Sequence, residues 1–590
     1  MLRTATMAVL LLAAASGAQA ELDRSRYIGL DEIRPGMKAY CLTVFEGTKV
    51  EKFPLEVVSV VRNIGPGRDA ILVIGTDERF RHVGPVSGNS GSPVFIDGRL
   101  AGALAFAWTL SKDPLYGVTP IEEMLAVGRD RDGDEQARPA RLNLSGPLDL
   151  EAIFQSVLTP SAPRPGPMVG AANLPVPLAV SLPEAAVEGL RKIVQPYGFV
   201  PVAGGSRAQG DIENAEFVPG SAIAIPLVTG DISMSAVGTV TEVVDGRFYA
   251  FGHGLQGYGK TELPIGPAYI HTVVASLQMS FKLGDAAEIT GMLTRDERAA
   301  VYGVIGPVPP MIDMRISVSR YNDPETRVYN CRIAKDDNLT PMLVNAVING
   351  AAEARGDFPP ENSLTYEARI RVRGLPDIYV SNVSTDAAIS DLTREVVAPV
   401  NLLLNNPYRR ADIESIDVQM TINRRSTAAI IQSLDVSRNR VRAGQTIEVG
   451  ASVFQYRQGS RRYTWQVTVP QGVAPGTYKL MVMGPDAYQQ FVTQAAPHRF
   501  AGGSFDGIMT AIRNVLGIRR DRIYSVLTLP PGGVTIERSE MPGLPASKAA
   551  LLADAGRALR TQPVQKWIEQ QIPFDGILTG SRSIDIIVEE

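Results

Sequence analysis

The chain has 590 residues, too many for one hydrophobic core, so several domains are expected. Apolar residues make up 45% and charged residues 20%, ordinary for a globular protein and unlike a disordered one. A net charge of −4 with mixed signs gives no footprint for nucleic acid; runs such as Arg519-Arg520-Asp521-Arg522 read as solvated surface. The 55 glycines and 42 prolines are spread along the chain, which suits many short strands and turns.

Residues 1–20 read as a secretion signal: Arg3, an apolar run from Ala8 to Ala15, and the small-residue site Ala18-Gln19-Ala20. The run is short for a membrane span, and no later stretch is apolar enough to be one. The mature chain is therefore expected to be exported, to a periplasmic, envelope or extracellular location. Two cysteines, Cys41 and Cys331, could pair in such a compartment.

Residues 21–135 read as strands: Tyr40–Phe45, Phe53–Val61 and Ala70–Ile74, then the turn Gly88-Asn89-Ser90-Gly91-Ser92-Pro93 and a hairpin across Asp97-Gly98. Residues 136–215 form a connector with helices expected near Leu148–Val157 and Pro183–Val194. Strands resume over 216–320, at Ala222–Val228, Ala236–Val244 and Arg247–Phe251, followed by Gly252-His253-Gly254. An α/β region is expected over 321–428, with helices at Pro341–Glu353 and Ala387–Val397. Residues 429–500 look like an immunoglobulin-like β-sandwich. The tail, 501–590, carries helices near Phe505–Val515 and Lys548–Ala558 and a last strand, Ser583–Val588.

Ser90 sits between glycines in a turn that leads into an apolar strand, as a nucleophile does in double-barrel serine peptidases. The glycines free nearby N–H groups to point at one spot, and those of Gly88 and Ser90 are the expected oxyanion donors. A serine hydroxyl needs a base. Of four histidines, His82 follows Arg81 in an expected surface loop, His271 lies in a strand pattern, and His498 follows Pro497 at the sandwich edge. His253 ends a strand between two glycines, and is either a turn residue or the base. Nearby, 252–257 matches G-x-G-x-x-G and 254–261 matches G-x-x-x-x-G-K-[ST]. A phosphate loop requires a helix starting at Lys260, and Glu262-Leu263-Pro264 cannot be that helix. No metal motif, nucleotide site or other cofactor is expected.

Gly88-Asn89-Ser90-Gly91-Ser92-Pro93, Asp97-Gly98-Arg99-Leu100-Ala101-Gly102, Asp113-Pro114 and Tyr116-Gly117-Val118-Thr119-Pro120 together resemble the stage IV sporulation protein B (SpoIVB) serine peptidase family. That family usually has methionine where this chain has Asn89. Its glycine–histidine pair resembles Phe251-Gly252-His253, preceded here by Gly238-Thr239-Val240-Thr241 and the Asp245-Gly246 turn. There the histidine half comes first; here the order is reversed, as in a circular permutation. The resemblance implies a mainly β, multidomain chain: a permuted trypsin-like double β-barrel, then the α/β region, the sandwich and a C-terminal helical segment. It also implies a protein or peptide substrate. The family's aspartate precedes the serine, and Asp77 is the nearest match, although it could equally be a turn carboxylate. Two functions remain open. One is a serine endopeptidase with Ser90 as nucleophile, His253 as base and Asp77 as orienter. The other is a non-catalytic envelope binding protein, with an envelope partner, that retains the fold. The Ser90–His253 distance separates them.

Overall fold

The computed structural model describes residues 22–108, 111–128, 142, 144, 146–159, 171–205, 216–387, 389–536, 539–552 and 561–590. The expected leader lies outside them, as does the end of the helix expected at Lys548–Ala558. Half of the chain is strand and 19% helix, in a mainly β architecture with two closed six-stranded barrels.

The first barrel contains β1 (Lys38–Val44), β2 (Val50–Gly65), β3 (Arg68–Gly75), α1 (Glu78–Val83), the short β4 (Val86–Ser87), β5 (Pro93–Ile96), β6 (Arg99–Trp108), β7 (Leu115–Pro120) and α2 (Ile121–Leu125). The closed order is β1-β2-β3-β7-β6-β5, with β5 pairing back to β1. Alternation drives it: Phe53, Leu55 and Val57 of β2 point inward, with Pro54 and Glu56 between them. They pack with Cys41, Ile71, Val73, Val94, Leu104, Tyr116 and Val118.

The connector supplies α3 (Leu150–Leu158), β8 (Ala171–Asn173), β9 (Val176–Val180), α4 (Glu184–Val194) and β10 (Phe199–Ala203). The second barrel contains β11 (Ala222–Gly230), β12 (Met234–Val244), β13 (Arg247–Ala250), β14 (Gly259–Val274), β15 (Ser280–Ala286), β16 (Gly291–Glu297) and β17 (Ala300–Ile305). It closes in the order β12-β13-β17-β16-β14-β11. The β14–β15 hairpin reaches beyond the barrel, and β15 runs parallel to β4, pairing Ser280 with Val86 and Phe281 with Ser87. One strand of the second barrel's hairpin is thus laid beside the segment that enters the serine turn.

Strand β11 also pairs with β19 (Asp323–Ala334), which follows β18 (Met311–Arg320). The boundary expected at 320 therefore falls inside a hairpin. The sheet continues with α5 (Leu339–Glu353), β20 (Ser363–Val372), β21 (Ile378–Thr385), α6 (Ser390–Asn405) and β22 (Ile413–Asn423). Strand β20 alternates buried Leu364, Tyr366, Ala368 and Ile370 with exposed Thr365, Glu367, Arg369 and Arg371, so one sheet face takes the helices and the other takes solvent.

The last unit is a two-sheet sandwich with a small third sheet beside it. It contains β23 (Ala428–Val436), β24 (Arg440–Arg442), β25 (Thr446–Gln455), β26 (Gly459–Thr468), β27 (Gly476–Met483), α7 (Pro485–Ala495), α8 (Phe505–Leu516), β28 (Arg522–Leu529), β29 (Val534–Ile536), β30 (Ser539–Met541), α9 (Ala546–Leu552), β31 (Thr561–Pro563), β32 (Lys566–Pro573), β33 (Ile577–Thr579) and β34 (Ser581–Glu589). The small sheet is β30-β29-β31; of the sandwich, one sheet is β26-β25-β23-β33 and the other β24-β34-β27-β28-β32. The tail carries helices and also completes both sheets, because the edges left at β23 and β27 need partners to bury Ile431, Leu480 and Val482.

The cysteines do not pair. Cys41 is a buried free thiol in the first barrel, and Cys331 one in β19, packed in a different core. Burial pushes the Cys41 thiol up to about 12 and that of Cys331 to about 11, so both stay neutral.

Candidate active site

The serine turn links β4 to β5. Gly88 and Gly91 adopt φ of +96° and +93°, which L side chains rarely tolerate. Within the turn the N–H groups of Asn89, Gly91 and Ser92 donate to the carbonyls of Val86, Leu104 and Asn89. That of Ser90 is not among them. Gly91 has a second reason to lack a side chain: a Cβ there would lie 2.0 Å from the Thr239 carbonyl oxygen and 2.4 Å from the Phe251 nitrogen. Both belong to the second barrel, so the turn is shaped for a close approach across the seam.

The other side of the seam is β12 and the end of β13. The Thr239 N–H donates to the Ser90 carbonyl at 2.9 Å, and the Thr241 hydroxyl to the Gly91 carbonyl at 2.7 Å. After Ala250 the chain turns through Phe251 and Gly252, both at φ +66°. A left-handed phenylalanine costs on the order of 1–2 kcal/mol. It is held there by complete burial and by its N–H on the Thr239 carbonyl. The Thr119 hydroxyl of the first barrel fixes the Gly252 carbonyl at 2.6 Å.

This double left-handed step presents His253 to the serine. His253 Nε2 lies 2.9 Å from Ser90 Oγ, and Nδ1 lies 2.9 Å from the Gly254 carbonyl oxygen. A carbonyl can only accept, so Nδ1 carries the proton in that contact and Nε2 keeps the lone pair. The Ser90 hydroxyl then donates to Nε2, the tautomer a general base requires. Both residues are closed off from solvent, at 0% and 2% exposure.

The Asp77 carboxylate has a different task from the one expected. It caps α1 by accepting the Arg79 N–H at 2.8 Å and faces the Arg79 guanidinium at 3.7 Å, while a backbone carbonyl occupies His253 Nδ1. Its sequence, Asp-Glu-Arg before an apolar residue, is an N-cap signal. The carboxylate behind the histidine loop is Asp296, which the sequence reading missed. Fully buried in β16, it accepts the N–H groups of Leu255, Gln256 and Gly257 at 2.7, 2.7 and 2.9 Å. Burial pushes its carboxyl up to about 6, against the opposing pull of those three donors.

Lys282 was also missed. It is fully buried in β15, with Nζ donating to the hydroxyls of Thr43 at 2.8 Å and Thr239 at 3.0 Å. Those hydroxyls donate in turn to the Asn89 side-chain oxygen at 3.3 Å and the Gly88 carbonyl at 2.9 Å. Burial holds its ammonium down to about 7. The signal available was parity: Lys282 shares its strand face with the buried Ser280 and Gly284.

Of the other histidines, His82 is exposed in α1, His271 faces Asp285 at 2.9 Å, and His498 pairs with Glu540 at 2.5 Å. Lys260 lies near the start of β14, so the phosphate-loop pattern has a strand where a helix is required. Among the described residues no group of His, Cys, Asp or Glu could hold a metal ion, and no helix is long and apolar enough to cross a membrane.

Residues 17–125 match the family model of the SpoIVB peptidase S55 family, which bears out the resemblance over the serine-bearing barrel. The match spans less than half of the chain; over those residues the chain is similar to the SpoIVB-type serine peptidases, a family that implies a protein substrate. No curated protein and no solved structure matches the chain.

Proposed function

We propose that the protein is an exported serine endopeptidase in which Ser90 is the nucleophile and His253 the general base. The observation that carries this reading is the 2.9 Å contact from His253 Nε2 to Ser90 Oγ, with Nδ1 engaged by a carbonyl. Ser90 Oγ attacks a peptide carbonyl carbon while its proton passes to Nε2. The oxyanion is received by the N–H groups of Gly88 and Ser90. The imidazolium gives its proton to the leaving amine, and water then releases the acyl group by the reverse sequence. The Gly254 carbonyl fixes the tautomer. The permuted order of the halves does not alter this chemistry, because base and nucleophile face each other across a seam. The later units would position a protein partner or dock the enzyme in the envelope.

A second reading is favoured by the burial of Ser90 and His253: a non-catalytic envelope binding protein that retains the fold. One experiment separates the two. Wild type, Ser90→Ala and His253→Ala are assayed for self-cleavage and casein digestion, and for labelling by a fluorophosphonate. Activity in the wild type that is lost in both variants supports the peptidase. Equal behaviour of all three refutes it.

A further inference from the structure

We propose that Lys282 is the positioning residue of the serine turn, coupling the geometry of the nucleophile to the docking of the two barrels. The proposal rests on the reading of Ser90 and His253 above. A lysine amine without a carboxylate partner is costly to bury, and the chain places one beside the residue preceding Asn89 and Ser90. Its stem occupies the space a side chain on Gly88 would take: a Cβ there would lie 3.1 Å from Lys282 Cβ and Cδ. Its amine divides between the barrels, since Thr43 is in β1 of the first and Thr239 in β12 of the second.

Each threonine relays the amine's hold to a different atom of the turn. Through Thr239 it reaches the Gly88 carbonyl, half of the Gly88–Asn89 peptide; the other half, the Asn89 N–H, donates to Val86. Through Thr43 it reaches the Asn89 side chain. The Gly88–Asn89 peptide and the Asn89 side chain are thus fixed on both sides of the backbone that carries Ser90 and one proposed oxyanion donor. Undocking the barrels removes Thr239, Lys282 and the β15–β4 pairing together, releasing the turn. Asn89 is then a functional feature of this chain: its side-chain oxygen is the acceptor that ties the turn to Thr43.

The test uses the full-length protein and two variants, Lys282→Met and Thr239→Val. Methionine keeps the stem and removes the donors; valine keeps the threonine's shape and removes the link to Gly88. The first readout is the split between maximal rate and half-saturation for a fluorophosphonate, in which Ser90 Oγ bonds phosphorus, fluoride leaves and the proton goes to His253. The expected result is a maximal rate lower on the order of 10²-fold, the size of effect of a lost oxyanion donor, with half-saturation unchanged. The second readout is amide hydrogen exchange over 86–92, expected to quicken at least ~10-fold in both variants with β2 and β3 unchanged. A folded Lys282→Met protein with wild-type labelling and wild-type exchange at 86–92 overturns the proposal. If the wild type shows no Ser90-dependent labelling, the peptidase reading fails. The exchange arm then still decides whether Lys282 holds the turn, and Thr239→Val decides it if the methionine variant does not fold.

Discussion

Replacing Lys282 by methionine should stabilise the barrels at neutral pH while it impairs the site. The ammonium titrates near 7 in the folded chain, against an ordinary value of 10.5. That depression corresponds to about 5 kcal/mol, at about 1.4 kcal/mol per pH unit. The folded value lies below the unfolded one, so between pH 7 and 10.5 the unfolded chain binds more protons. Stability therefore rises with pH across that window, and the full cost is felt below 7. At pH 7, with the folded lysine half protonated, the cost is about 4 kcal/mol. Cys41 is the titratable group whose charge bears on the amine, and its thiol stays neutral in this range because burial raises it to about 12. Methionine removes the cost but deprives two buried hydroxyls of a donor, about 1 kcal/mol each. The net gain at pH 7 is about 2 kcal/mol, shrinking by a similar amount by pH 9. The assay is urea unfolding at pH 6 to 9, followed by Trp108 fluorescence with the chain's other tryptophans, Trp465 and Trp567, replaced by phenylalanine. A difference between variant and parent that does not change from pH 7 to 9 would refute a depressed, uncompensated lysine.

Three further outcomes follow from the site. Asp77→Ala should lose only a helix cap, about 1 kcal/mol, and keep wild-type labelling at Ser90; a large loss of labelling would restore Asp77 to the site. Asp296→Asn leaves Leu255, Gln256 and Gly257 donating to a neutral amide, so the His253 loop should loosen and labelling should slow by about 10-fold or more, with β1 to β3 protection in hydrogen exchange unchanged. The unreduced chain, denatured and titrated with a thiol reagent, should yield both Cys41 and Cys331 as free thiols, and native protein should react slowly at each because both are buried.

The serine turn and the histidine were legible because each depends on backbone freedom, and glycine writes that requirement into the sequence. Gly88, Gly91 and Gly252 all occupy positive φ. The family resemblance implied both barrels, and helix signals placed the helices at Pro183, Pro341 and Phe505 to within a few residues. What escaped was whatever depends on long-range burial. Lys282 and Asp296 look like surface charges, in Phe-Lys-Leu-Gly and Thr-Arg-Asp-Glu, and only the packing of β15 against β4 and of β16 behind the histidine loop makes them interior. Asp77 misled in the opposite sense, since an acidic residue before the nucleophile suits either a triad or a helix cap. The tail's place in the sandwich was hidden for the same reason: β33 and β34 pair with strands more than 100 residues earlier, a distance no local pattern encodes.

The contacts that align Ser90 with His253 lie on the seam between the barrels. Four such contacts cross from one barrel to the other. Thr239 donates to Ser90, Thr119 to Gly252, Thr241 to Gly91, and β15 pairs with β4. The connector is itself built into both barrels: β8 pairs with β6, β9 pairs with β12, and the Gly205 N–H donates to Asp285 of β15. On the proposed peptidase reading, the same geometry makes docking the step on which chemistry depends. Gly91 cannot carry a Cβ because Thr239 and Phe251 arrive from the other barrel, and the closed dyad admits no substrate. That reading predicts that a peptide carbonyl enters while the seam is parted and that the turn regains its form as Thr239 and Lys282 return. Substrates that hold the barrels slightly apart should then bind without being cut, a distinction that the rate and half-saturation for graded peptide lengths would measure.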